Sequence, residues 1–99
     1  GLLKIIRHLA DFAEGQVEIE YRPYIYKQIA DCTNWTIRLM NCLPKDEAES
    51  LYREILRNKD IFRFMLSSSQ LTHRIEGRLL TWFPKRMKVI YNTLDIIHR

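Results

Sequence analysis

Three histidines, two cysteines and twelve carboxylates are the side chains of this 99-residue sequence from which a reactive centre could be assembled. His8, His73 and His98 are dispersed, and none falls within a His-Glu-x-x-His motif or beside paired cysteines, so the spacing offers no ligand set for zinc. Thiol catalysis needs a base held near the sulfur, and nothing in the order of residues brings His73 to Cys32. Glu18 and Glu20 would share one side of an extended segment, while Glu47 and Glu49 would diverge on a helix, so neither pair suits shared acid and base roles. No glycine-rich phosphate loop occurs. His73, in His73-Arg74-Ile75-Glu76, could sense pH, but one imidazole among charges reads as ordinary surface. The expectation is a chain with no catalytic residues, no metal and no cofactor.

Cations supply the feature that could form a site. Residues 1–49 carry six Lys or Arg against eight Asp or Glu, whereas residues 50–99 carry ten against four. Arg74, Arg78, Lys85, Arg86 and Lys88 lie in one fifteen-residue window with a single acid, Glu76. Arg74 and Arg78 share a helix face, as do Lys85 and Lys88 on the next helix. If those helices are antiparallel neighbours around Phe83-Pro84, the cations make one patch that Arg53, Arg57 and Arg63 extend. Such a patch suits an acidic protein or, as the alternative, the phosphates of nucleic acid. Against nucleic acid, the helix-turn-helix pattern is poor and no zinc-finger motif is present.

Positioning falls to helices. Leu2, Ile5, Ile6, Leu9, Phe12 and Ala13 recur with helical spacing until Gly15. Val17 to Arg22 alternates with period two, but no second alternating run exists to pair with it, so it reads as a helical or extended lead-in to Pro23. Ile25, Ile29, Cys32, Trp35 or Thr36, Leu39 and Leu43 form the stripe of a central helix that Pro44 ends. Pro44 then opens a helix with Asp46, Glu47 and Glu49 near its N-terminus and Ala48, Leu51, Tyr52, Ile55 and Leu56 on its buried side.

Asp60 is a candidate cap for a short helix, Ile61-Phe62-Arg63-Phe64-Met65-Leu66, which is apolar on almost every side and either sits in the core or exposes a sticky surface. Beyond Ser67-Ser68-Ser69, the residues Leu71, Ile75, Leu79, Trp82 and Phe83 recur at three and four, with Gly77 inside the helix, where a close helix contact would give it a reason. Pro84 opens the last helix, lined by Met87, Ile90, Leu94 and Ile97 with Tyr91 beside them. The fold class is all-α, a compact antiparallel bundle of about five short helices in one domain over residues 1–99.

With 46% hydrophobic and 28% charged residues, the composition fits a domain that buries a core without metal or disulfide support. Cys32 and Cys42 on one unbroken helix would be separated by about 15 Å of rise and could not bridge; free buried thiols and a net charge of +4 point to a cytoplasmic or nuclear setting. Asn34-Trp35-Thr36 matches a glycosylation acceptor but reads as chance. No apolar run approaches a transmembrane span, and peripheral membrane contact ranks third among the readings. A start at Gly1 without Met and an end directly after a helical pattern point to an excerpt of a longer protein, with neighbouring segments of the same chain among its partners.

Trp35 and Trp82 fall on apolar faces and are expected in the core, although Trp82, beside a helix break and two cations, could also be a binding anchor. Tyr24 and Tyr26 flank Ile25, so at least one must reach solvent or a partner. The functional expectation is a non-enzymatic interaction or scaffold module for a helical or acidic partner segment. Its contacts would be Tyr24, Tyr26, Phe62, Phe64, Arg74, Arg78, Trp82, Lys85, Arg86 and Lys88.

Overall fold

The computed structural model describes the backbone of residues 2–97 and the side chains of residues 3–93. Helices make up all of the regular structure there: α1 (Leu2–Gln16), α2 (Arg22–Leu39), α3 (Lys45–Arg57), α4 (Phe62–Met65), α5 (Leu71–Trp82) and α6 (Met87–Ile97). Single 3-10 turns occupy Ile19–Tyr21, Met40–Cys42, Lys59–Ile61 and Pro84–Arg86. The described residues form six helices, in keeping with the expected bundle of about five short ones, and the short helix expected in the apolar 61–66 segment is α4.

Local chemistry sets each boundary. At the end of α1, the Arg22 side chain donates from Nε to the Val17 carbonyl at 2.9 Å and from Nη2 to the Glu14 carbonyl at 3.1 Å, occupying acceptors that the helix leaves open. The alternating Val17–Arg22 stretch is therefore a capped turn and not a strand. Pro23 sits in the first turn of α2, where its missing N–H costs nothing. The Pro44 carbonyl accepts the Ala48 N–H at 2.9 Å to start α3, whose first turn carries Asp46 and Glu47. Asp60 is not the cap of α4; both its oxygens bind Arg7 of α1, at 2.6 and 2.7 Å.

Helix α2 lies at the centre, packed along α1 on one side and against α4, α5 and α6 on others. Its buried residues include Thr33 and Thr36, whose hydroxyls donate to the carbonyls of Ile29 and Cys32 four residues back, so polar side chains enter the core already satisfied. Around it pack Ile6, Ile55, Phe62, Met65, Leu80, Met87 and Tyr91. The Tyr91 hydroxyl donates to Asn34 Oδ1.

Several expectations about burial need correction. Helix α1 turns Ile6, Ala10 and Ala13 inward and leaves Ile5 and Phe12 exposed, because small residues admit the neighbouring α2 more closely. Trp35 is exposed and Thr36 takes the inward position. Neither thiol is fully buried, Cys32 being half-buried and Cys42 exposed, and both are free. Helix α5 is rolled the opposite way from its apolar pattern.

A candidate interaction face on helix α5

The inward face of α5 consists of His73, Glu76, Gly77 and Leu80. Gly77 fixes this roll: a Cβ built there would lie 2.7 Å from Met65 Cβ and 3.2 Å from the Met65 carbonyl carbon, so only glycine allows the α4 and α5 backbones to approach this far. Leu80 then enters the core beside Met65.

The polar inward residues are anchored unequally. His73, 5% exposed, places Nδ1 3.2 Å from Ser68 Oγ and Nε2 3.1 Å from Asp31 Oδ1 on α2. Ser68 Oγ also accepts the Gln70 N–H at 3.2 Å, and the Ser69 N–H reaches the Pro23 carbonyl at 3.1 Å. Together these bonds pin the start of α5 to α2. Serine, histidine and aspartate are the residue types of a nucleophilic triad, but Ser68 is 1% exposed and a substrate carbonyl has no route to its Oγ. Glu76 turns inward with Oε2 buried and without a hydrogen-bond partner among the described residues.

With the inner positions taken, the apolar stripe faces out. Leu71 and Trp82 are each 62% exposed, Ile75 is 50% exposed, and Phe83 follows at the end of the helix. Arg74 and Arg78 interleave with them, and Arg74, Ile75, Arg78, Leu79 and Trp82 line a shallow depression of about 340 Å³. The Arg78 guanidinium lies over the Trp82 ring, 5.4 Å from its centre, which holds a flat apolar and cationic platform at the C-terminal end of the face.

The other anticipated contact residues divide. Tyr24 is exposed, whereas Tyr26 is half-buried and stacked on Phe64 with ring centres 5.9 Å apart. Phe62 is fully buried in the core and offers nothing to a partner. This corrects the expectation of Phe62 as a contact residue: α2 and α5 both pack on the helical turn that carries it. Lys85, Arg86 and Lys88 are exposed. The Lys85 carbonyl accepts the Tyr52 hydroxyl at 3.1 Å and Lys88 Nζ lies 5.4 Å from the Tyr52 ring centre, so these cations accompany α3, while Arg78 accompanies Trp82. Arg53 pairs with Glu49 at 3.5 Å.

Two titration shifts bear on reactivity. Burial, followed by the charge of Asp31, raises the Cys32 thiol above its ordinary value, the opposite of what nucleophilic activation requires. The hydrogen bond from Arg7 holds the Asp60 carboxyl below the usual carboxylate range. Among the described residues no group of three or more His, Cys, Asp or Glu is placed to hold a metal ion, and no helix is long and apolar enough to cross a membrane. Comparison with protein-family models, with curated proteins and with solved structures finds no match.

Proposed function

We propose that this chain is a protein-interaction module whose α5 outer face docks an acidic, helical segment of a partner. The observation that carries this reading is the inverted roll of α5, which leaves Leu71, Ile75 and Trp82 in water with Arg74 and Arg78 between them. Exposed apolar residues at helical spacing match the way a partner helix seats its own apolar ridge. A tryptophan with an arginine beside it is the composition enriched at binding hot spots. Neither Arg74 nor Arg78 forms an ion pair among the described residues, so their charge is available to carboxylates.

Phosphate binding would use the same two arginines, and Trp82 offers a ring on which a base could stack. Leu71, Ile75 and Leu79 then have no role, since aliphatic side chains contribute nothing to phosphate contacts. That favours a protein partner over nucleic acid.

Trp82 reports on the face directly once Trp35 is changed to Phe. The probes are an amphipathic helical peptide with leucines on one side and glutamates flanking them, the same peptide with lysines in place of glutamates, and short single-stranded and duplex DNA. A blue shift of Trp82 emission with the acidic peptide alone, lost in Arg74→Glu/Arg78→Glu, is the expected result. Binding of DNA alone, falling steeply with salt and exceeding that of an unrelated basic helical domain, would replace the proposal with a nucleic-acid reading. Absence of any shift would end it.

A further inference from the structure

A second apolar surface lies away from α5, where α1, the end of α2 and α3 leave a groove of about 700 Å³. Leu3, Leu39, Leu43 and Leu51 supply its apolar lining, and Glu47 and Glu54 stand exposed beside them, with Lys4 as the lone cation among the lining residues. Glu47 and Glu54 are two turns apart on one face of α3, about 10 Å along its axis. Neither forms an ion pair among the described residues.

We infer that a second copy of this chain occupies this groove, inserting the outer face of its α5 so that Arg74 and Arg78 meet Glu47 and Glu54. The inference rests on the proposed role of α5 and names a partner for it. The two surfaces are opposite in charge and alike in being apolar at their centres. Residues four apart on α5 and seven apart on α3 each keep to one helix face, and the long arginine side chains span the difference in spacing.

Symmetry decides the mode of pairing. A two-fold contact of α5 with α5 would press four arginines together with no carboxylate to offset them, whereas ridge into groove gives each ridge arginine a groove carboxylate. Ridge and groove sit on different elements: α5 packs on α4, with smaller contacts to α2 and α6, while the groove belongs to α1, α3 and the end of α2. One molecule can therefore offer both at once, and the association is head-to-tail. A single helix ridge buries less than about 1,200 Å² in total, the size class of weak and reversible contacts. Self-association is accordingly concentration-dependent and sensitive to salt.

Sedimentation velocity of residues 1–99 over a concentration series, at low and at high salt, tests this. The wild-type protein should gain mass with concentration at low salt and lose it at high salt. Arg74→Glu/Arg78→Glu and Glu47→Lys/Glu54→Lys should each weaken association at least about tenfold while keeping the wild-type helical circular dichroism. Mixing the two variants should restore association, because the acidic ridge of one then faces the basic groove of the other. A wild-type chain that stays monomeric throughout overturns the self-pairing, and so does a mixture that fails to re-associate. Loss with the arginine variant but not with the glutamate variant overturns the groove assignment and leaves the α5 face standing, with its fate decided by the peptide titration.

Discussion

Gly77 and Met65 bring α5 against α4 so closely that a methyl group on the glycine would sit 2.7 Å from Met65 Cβ. This contact turns His73, Glu76 and Leu80 inward and sends Leu71, Ile75 and Trp82 outward, so the exposed apolar face follows from a single absent side chain. Met65 Cβ and the backbone beside it have no freedom to retreat. Gly77→Ala should therefore lose about 1–3 kcal/mol to overpacking, more than the ~1 kcal/mol that alanine gains within a helix. Gly15 has nothing within 4 Å of its notional Cβ and lies in the last turn of α1. Gly15→Ala should be stabilising by about 0.5–1 kcal/mol. Opposite shifts of the urea midpoint in the two variants are the expected outcome; a stabilising Gly77→Ala would contradict the close approach.

Acid sensitivity should be traceable to Arg7 and Asp60. Asp60 is depressed in the folded state, so the pair contributes stability fully above the unfolded carboxylate value of about 4 and loses it as pH falls through the lower folded value. The side chains are 39% and 44% exposed, and water screens them, which limits the contribution to about 0.5–1 kcal/mol despite the two-pronged geometry. Arg7→Gln and Asp60→Asn should cost that amount at pH 7 and nothing once the carboxyl is protonated in both states. A cost that persists unchanged into acid would assign the effect to packing and not to charge.

Proline and glycine made most boundaries legible: Gly15 near the end of α1, Pro23 in the first turn of α2, Pro44 before α3 and Pro84 after α5 all sit where the punctuation puts them. The centrality of α2 was readable from apolar content, whereas the apolar 61–66 segment left core and surface both open, and its Phe62, expected at a contact surface, belongs to the core. Direction was not readable. Periodicity identifies a coherent face on α5 but does not say whether that face meets the core, and the deciding contact at Met65 lies in another helix. The same limit hid the His73 cluster, whose partners Asp31 and Ser68 come from α2 and a joint. At Trp35 and Thr36 the pattern allowed either residue inward; the threonine is inward, and its hydroxyl is satisfied by the Cys32 carbonyl.

Ser68 is buried at the joint before α5. A serine-directed fluorophosphonate should leave it unmodified, since its Oγ is sealed and shared between the Gln70 N–H and His73. Ser68→Ala should lower stability by about 1–2 kcal/mol, the range for removing bonds to buried polar groups. Labelling of Ser68, mapped by mass spectrometry and abolished in His73→Ala, would contradict the sealed arrangement.

Glu76 turns a carboxylate oxygen into the interior with no partner among the described residues. An unsatisfied buried polar group costs about 1–3 kcal/mol, and a flexible apolar side chain of similar length removes that cost. Glu76→Met should therefore raise the thermal midpoint without altering the circular dichroism. A lowered midpoint would show that the carboxylate has a stabilising partner.

Trp35 and Trp82 are 67% and 62% exposed, on α2 and α5 respectively. In dilute protein both should emit as water-exposed indole, both should be quenched by acrylamide, and urea should shift the emission little, whereas core tryptophans would move strongly to the red on unfolding. Only Trp82 belongs to the ridge; Trp35 lies in a depression with Arg38, Leu39 and Cys42, of which Leu39 also lines the groove. Raising the protein concentration at low salt should thus protect Trp82, read in Trp35→Phe, more than Trp35, read in Trp82→Phe. Protection of Trp35 alone would place the contact on α2. Protection of both at every concentration would mean that the two indoles are buried, and the exposed face of α5 would be lost with them.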